Sequence, residues 1–283
     1  MTDFRVYDVF TDRAFGGNQL AVITDAAGLP EQDLQRIARE FNFSETTFVY
    51  PPGNAAYTAK VRIFTPTMEI PFAGHPTIGT AIALRDLGAE PEMTLELGVG
   101  PIPCHADAGA ARFTTTAALE RLATPDPALV AAALGLPQNA ISTATHAPVQ
   151  ASLGLPFVLV ELSAQHWLDQ CMPVTDQIRL GAQTHPAGLD FALFPYVANG
   201  DVIHARMFAP LDNIPEDPAT GSAAATLAAL LTEARGADQD LTIHQGVQMG
   251  RPSVIRASTQ HGDTAAITIS GRAILTMKGT LEY

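Results

Sequence analysis

The chain is short of cations, cysteine, tryptophan and long apolar runs. Its 283 residues hold 16 Lys and Arg against 29 Asp and Glu, a formal net charge of −13. Lys60 and Lys278 are the only lysines. Backbone binding to nucleic acid needs a basic face, so no nucleic-acid partner is expected. The acidity does not exclude a small anionic ligand, because the field at one site differs from net charge. Cys104 and Cys171 are the only cysteines, and neither lies in a ligand or C-x-x-C pattern. They read as reduced core thiols of a cytosolic protein, and the expected location is cytoplasmic. The start, Met1-Thr2-Asp3-Phe4-Arg5, lacks a basic segment followed by an apolar run, so no signal peptide is expected. No uninterrupted apolar stretch is long enough to span a bilayer, so no membrane partner is expected. The eight histidines show no H-E-x-x-H pair, which gives no expectation of a metal. No G-x-G-x-x-G follows a strand and no G-x-x-x-x-G-K-[ST] occurs, so nucleotide binding lacks support. Ser222 stands outside a G-x-S-x-G elbow, which disfavours a hydrolase nucleophile.

What the chain does have is a long internal echo. Asp217-Pro218-Ala219-Thr220-Gly221-Ser222-Ala223 repeats His75-Pro76-Thr77-Ile78-Gly79-Thr80-Ala81 at about half the chain's length. The lead-ins match as well: Arg62-Ile63-Phe64-Thr65-Pro66 and Arg206-Met207-Phe208-Ala209-Pro210. Two copies at near-half spacing predict a duplicated architecture. Each copy reads as strand, loop, helix. Pro76 and Pro218 suit a first helical position, with His75 and Asp217 at the N-cap. The runs that follow, 79–84 and 221–231, are apolar all round and predict buried helices. Helix starts carry free N–H groups and partial positive charge, which suits an anion.

The remaining pattern supplies strands at 4–10, 20–23, 46–50 and 57–64, a helix over 30–41, and strand-like pieces at 93–97 and 111–115. A boundary is expected near 117–127. The second half then predicts a short helix to Leu134 and strands at 154–162, 190–196, 201–208, 241–243, 253–257, 265–270 and 271–277. Strands outnumber helices, yet each half has one helix with no polar face. A sheet curled around a central helix, twice, satisfies both facts and predicts a mixed α/β (α+β) fold. The expected lobes are 1–117 and 118–271, with the C-terminal strand 272–283 completing the first.

Glu45, His75 and Asp217 are the candidates for chemistry. A carboxylate among the apolar neighbours of Glu45 could move protons near neutral pH. The bland readings are a solvated loop glutamate, a satisfied core histidine and a plain N-cap. The duplication favours function, because sites commonly form between halves. A small carboxylic acid is the expected substrate.

The motifs Gly16-Gly17-Asn18, Ser44-Glu45-Thr46-Thr47-Phe48, Pro71-Phe72-Ala73-Gly74-His75-Pro76-Thr77, Glu216-Asp217-Pro218-Ala219-Thr220-Gly221-Ser222-Ala223 and Gln245 to Ser253 together resemble the PhzF-like phenazine-biosynthesis family. That resemblance implies a diaminopimelate epimerase-like fold of two pseudo-symmetric lobes. It implies a cofactor-independent isomerase, with no cofactor, and a homodimer. In the family's best-known reaction a dihydro-hydroxyanthranilate is converted to a ketone. Glu45 matches the general acid/base. His75 and Asp217 match residues that hold amino and hydroxyl groups. Gly74, Gly221 and Ser222 match positions that receive the carboxylate, and Asn18 and Ser44 line the site. Gln19 departs from the pattern, standing where the family often has proline. The related epimerases use two facing cysteines, and neither Cys104 nor Cys171 falls in a helix-start motif. An amino-acid epimerase or racemase, or a non-catalytic carboxylate-binding protein, are the alternative readings.

Overall fold

The chain alternates short strands with few helices, and the computed structural model describes residues 1–260, 262 and 266–282. Two units result, Met1–Thr115 with Ile269–Tyr283, and Thr116–Thr268. The first holds β1 (Thr2–Val9), β2 (Asn18–Ile23), α1 (Glu31–Phe41), β3 (Glu45–Tyr50), β4 (Ala59–Phe64), β5 (Glu69–Ile70), α2 (Gly74–Asp86), β6 (Glu92–Leu97), β7 (Gly100–Asp107) and β8 (Ala110–Thr115). The second holds β9 (Glu120–Ala123), α3 (Pro127–Ala133), β10 (Val149–Ser152), β11 (Pro156–Glu161), α4 (Gln165–Gln170), α5 (Thr175–Thr184), β12 (Leu193–Asn199), β13 (Val202–Ala205), α6 (Gly221–Arg235), β14 (Asp240–Gln245) and β15 (Ser253–Gln260). One long strand, β16 (Ala266–Leu281), closes the chain.

In the first unit β16 pairs with both β1 and β8, so the order β1-β2-β3-β4-β6-β7-β8-β16 closes into an eight-stranded barrel. Closure leaves no open edge along these strands. Inside it runs α2, packed against β1, β2, β3, β6, β7 and β8. That environment explains a helix with no polar face: every residue from Gly74 to Ala83 is buried. Gly79 lets the barrel wall approach, since a Cβ there would meet Leu20 Cδ2 at 2.5 Å and Val9 Cγ2 at 2.8 Å. By contrast α1 is amphipathic and lies outside. It buries Leu34 and Ala38 in a cluster with Ile23, Phe48 and Phe64. Asn42 ends it in the left-handed region, with its N–H bonded to the Ala38 carbonyl.

The second unit repeats this order of pairings. In the first, β1–β2 is antiparallel, β2–β3 parallel, β3–β4 antiparallel, β4–β6 parallel and β6–β7 antiparallel. In the second, β10–β11, β11–β12, β12–β13, β13–β14 and β14–β15 follow the same alternation. Parallel neighbours need a crossover, and helices supply each one. α1 bridges β2 to β3 as α4 and α5 bridge β11 to β12. α2 lies between β4 and β6 as α6 lies between β13 and β14. The duplicated mixed α/β architecture expected from the sequence is therefore present.

Local expectations differ in places: β9, β10, α4 and α5 were not expected, and the strand expected at 201–208 spans only Val202–Ala205. The strands expected at 265–270 and 271–277 form one strand, β16, with Ala265 outside the described residues. β7 was not expected, because Pro101 and Pro103 interrupt the pattern. Those prolines pair only with β6, ahead of the stretch from Cys104 that also pairs with β8, and a strand with one partner tolerates proline. Among the described residues no helix is long and apolar enough to cross a membrane.

Candidate active site

In the first unit three expected residues come together from three segments. Asn18 opens β2, Glu45 opens β3 and His75 lies in the first turn of α2. The parallel register sets Glu45 beside Leu20 in β2. Gly17 makes the turn into β2 possible. Its φ is +63°, and a Cβ there would sit 2.3 Å from the Val9 carbonyl oxygen. Glu45 and Thr47 share one face of β3, and Thr47 receives a hydrogen bond from Thr80 of α2 at 3.0 Å. That bond ties the strand to the helix that carries His75. Ser44 precedes β3 and is partly exposed, and Gly74 is the buried first residue of α2.

His75 Nδ1 lies 3.2 Å from Glu45 Oε2 and 3.4 Å from Asn18 Nδ2. The His75 side chain is 4% exposed and that of Glu45 14%. Desolvation pushes the His75 pKa down to about 3, against a smaller opposing effect of the Gln19 backbone. The ring is therefore neutral near pH 7, and its contact with Glu45 is not an ion pair. A neutral Nδ1 offers either one proton or one lone pair. With the lone pair it accepts from Asn18 Nδ2, and Glu45 Oε2 stands close beside the same nitrogen.

This burial has a consequence in acid. Above the ordinary histidine value of 6.5 the ring is neutral whether folded or unfolded. Between there and about 3 only the unfolded chain takes up the proton. Stability present above pH 6.5 is thus lost as pH falls through that window, by at most about 1.4 kcal/mol per pH unit. Urea midpoints measured from pH 7.5 to 4.5 are expected to fall in the wild type and to fall less steeply in His75→Gln. Identical slopes for the two would contradict a buried neutral ring.

In the second unit Asp217 ends the lead-in to α6, which begins at Gly221 after an N-cap at Thr220. Ser222 is partly exposed in the first turn. The expected N-caps differ from those observed. The cap of α2 is Ala73, which places His75 inside the helix; Asp217 stands three residues ahead of the cap of α6. Pro76 allows the earlier start of α2, because the first turn needs no N–H donors. Asp217 instead accepts the Thr220 hydroxyl at 2.5 Å. Gln245, quoted in a family motif but given no role from sequence, is fully buried and bonded to this turn. Its signal was its place at the head of the motif Gln245 to Ser253.

The lead-ins echo in three dimensions. Arg62 stacks over Phe64 at 5.1 Å and Arg206 over Phe208 at 4.7 Å. Arg62 also bonds Glu31 and Glu69. Arg206 forks onto Glu216, next to Asp217, at 2.8 and 2.9 Å.

Comparison with known proteins settles the family. The model described as phenazine biosynthesis-like protein, PhzC-PhzF, matches residues 7–279. The chain belongs to the PhzC-PhzF family. An uncharacterized isomerase of Mesorhizobium japonicum is 38% identical, covering 99% of this chain and 98% of its own. Trans-2,3-dihydro-3-hydroxyanthranilate isomerase of Pseudomonas aeruginosa is 34% identical, covering 99% of each chain. A solved structure of a predicted epimerase from Pseudomonas aeruginosa superposes with TM-score 0.83 at 30% identity, covering 100% of each chain. This PhzC-PhzF chain is an isomerase, the enzyme class expected from its motifs.

Neither cysteine of this family member is poised for acid/base work. Burial pushes both thiols up to about 12. Cys104 Sγ lies 3.6 Å from the Ile102 carbonyl oxygen and Cys171 Sγ 3.4 Å from that of Trp167. Among the described residues no group of three or more His, Cys, Asp or Glu could hold a metal ion.

Proposed function

We propose that the chain moves a proton on a small cyclic amino- or hydroxy-carboxylic acid, without a cofactor, using Glu45 as general acid/base. The supporting observation is Glu45 Oε2 against the buried, uncharged His75 ring at 3.2 Å. A neutral imidazole sets no fixed charge beside the carboxyl group, so no ion pair locks Glu45 in its ionised form while it gains and loses a proton. In the forward step a C–H bond of the substrate breaks, its proton goes to the Glu45 carboxylate, and the electron pair enters the conjugated system. The double bonds shift, and Glu45 returns the proton to another carbon. No electron or atom is gained overall.

In the same reading Gly74, Gly221 and Ser222 offer N–H or hydroxyl donors to the substrate carboxylate. Asn18 and Ser44 line the ligand, and His75 and Asp217 meet its amino and hydroxyl groups. The substrate class follows the printed name of the Pseudomonas relative, a dihydro-hydroxyanthranilate. The buried thiols weigh against a two-cysteine epimerase. We propose a cytoplasmic location, in keeping with two free thiols, and a homodimer, which the family resemblance implies.

The test is turnover of trans-2,3-dihydro-3-hydroxyanthranilate in D₂O. Consumption of the acid with a ring hydrogen moved to another carbon, replaced there by deuterium to the extent that protonated Glu45 exchanges with solvent, is the expected result. An inert ring acid, together with exchange at Cα of a free amino acid, would replace this reading with the epimerase one.

A further inference from the structure

Asp217, Thr220 and Gln245 form a chain of hydrogen bonds whose direction is set from the Gln245 end. Gln245 Oε1 accepts the Thr220 N–H at 3.1 Å. Its Nε2 then donates to the Asp217 carbonyl oxygen at 2.7 Å and to Thr220 Oγ1 at 3.0 Å. Flipping this amide would set N–H against N–H and oxygen against oxygen, so its orientation is fixed by its partners. Thr220 Oγ1 accepts from Gln245, and its own proton goes to Asp217 Oδ2, 2.5 Å away. The ionised carboxyl group thereby takes the Thr220 proton through Oδ2 and keeps Oδ1 as an acceptor. Gln245 is 0% exposed, Asp217 5% and Thr220 8%, so water has little access to scramble these roles.

The backbone keeps the turn in place. The Asp217 N–H is used by the Met207 carbonyl at 3.0 Å, and Pro218 has no N–H to offer. Gly246 packs the following loop onto the turn. Its φ is +73°, and a Cβ there would lie 2.7 Å from the Pro218 carbonyl oxygen.

We propose that Thr220 and Gln245 are positioning residues that hold Asp217 as a hydrogen-bond acceptor, so that the substrate group it meets is a donor, an amine or hydroxyl and not an ether or carbonyl. This rests on the proposed function and narrows it. An acid carrying ether oxygens in place of those donors would face acceptor against acceptor, which selects against it.

The test uses the full-length protein and calorimetric titration with 3-hydroxyanthranilic acid, a stable donor-bearing ring acid, and 2,3-dimethoxybenzoic acid, which lacks those donors. Wild type is expected to favour the first acid by about tenfold or more. Thr220→Val is expected to weaken the first by about tenfold and the second by less than about threefold. Thr220→Ser is expected to restore the preference. A structural role alone would weaken both acids alike, and that result, or no change, overturns the proposal. Should Thr220→Val fail to fold, Gln245→Met carries the same comparison. A ligand-free measurement separates the two readings. The Thr220 hydroxyl proton is expected as a slowly exchanging downfield NMR resonance that disappears in Asp217→Ala, which removes the acceptor. Its presence with no binding of either acid would sink the proposed function while supporting the Asp217 network; its absence would sink the network.

Discussion

Replacing Glu45 with glutamine is expected to cut turnover of the ring acid by about 10²- to 10⁴-fold, the usual contribution of a positioned proton-transfer group. The substitution is nearly isosteric, so packing changes little. A glutamine amide can still donate to His75 Nδ1 or accept from it at the 3.2 Å contact that Glu45 makes. What it cannot do is take a proton from carbon and return it. Binding of 3-hydroxyanthranilic acid should therefore stay within about threefold, because the carboxylate and amine contacts are untouched and the lost interaction belongs to the transition state. Glu45→Asp keeps the acid but withdraws it by one methylene. Intermediate activity is expected, since small misplacements of a reacting group are costly. Steady-state rates beside calorimetric affinities read both effects. A Glu45→Gln protein that turns over ring acid at the wild-type rate would remove Glu45 from the chemistry.

Much of the fold was legible because burial wrote itself into composition. A helix with no polar face has to be enclosed, and α2 and α6 are both buried along nearly their whole length. The repeated Arg-x-Phe lead-ins were equally readable, and each folds into an arginine stacked on its own phenylalanine. The alternation of parallel and antiparallel neighbours was not readable, since it depends on which strands meet across long crossovers. Short helices were missed for a related reason. α5 contains Gly181, which reads as a helix breaker; it is there because a Cβ would lie 2.4 Å from the Phe191 ring. A local signal had yielded to packing.

The candidate site was legible by residue type and motif, less so by local geometry. Glu45 read as a loop residue and is the first residue of β3. The symmetric placing of His75 and Asp217 as N-caps did not hold, because proline fits several positions of a first turn equally well. Gln245 carried almost no signal of its own. Its importance comes from facing a turn almost thirty residues away in the chain, and periodicity says nothing of such pairs.

Removing the Arg206 side chain should produce the largest loss of stability, about 3–5 kcal/mol for Arg206→Ala. The pair is nearly enclosed, with side chains 9% and 17% exposed for Arg206 and Glu216. Arg206 also donates to the Leu168 carbonyl at 3.1 Å and that of Cys171 at 3.0 Å, fastening α4 to the strand region. Its removal strands the Glu216 carboxylate, takes the guanidinium donor from the Cys171 carbonyl and leaves the Leu168 carbonyl only the Cys171 N–H, and leaving buried charged and polar groups unpaired costs more than the pair contributed. The first unit supplies an internal control. Arg62 occupies the equivalent place, but its partners Glu31 and Glu69 are 75% and 42% exposed. Water replaces what Arg62→Ala removes, so each of those pairs contributes about 1 kcal/mol or less. Chemical denaturation of the two alanine variants should thus separate them clearly. The double variant Arg206→Met with Glu216→Leu should recover part of the loss, because it removes the stranded charge. Activity should fall in Arg206→Ala even at temperatures where the fold persists, since Glu216 adjoins Asp217 and loosening it frees the turn that leads into α6. Equal losses for Arg62→Ala and Arg206→Ala would mean that burial does not set the strength of these twin arginines.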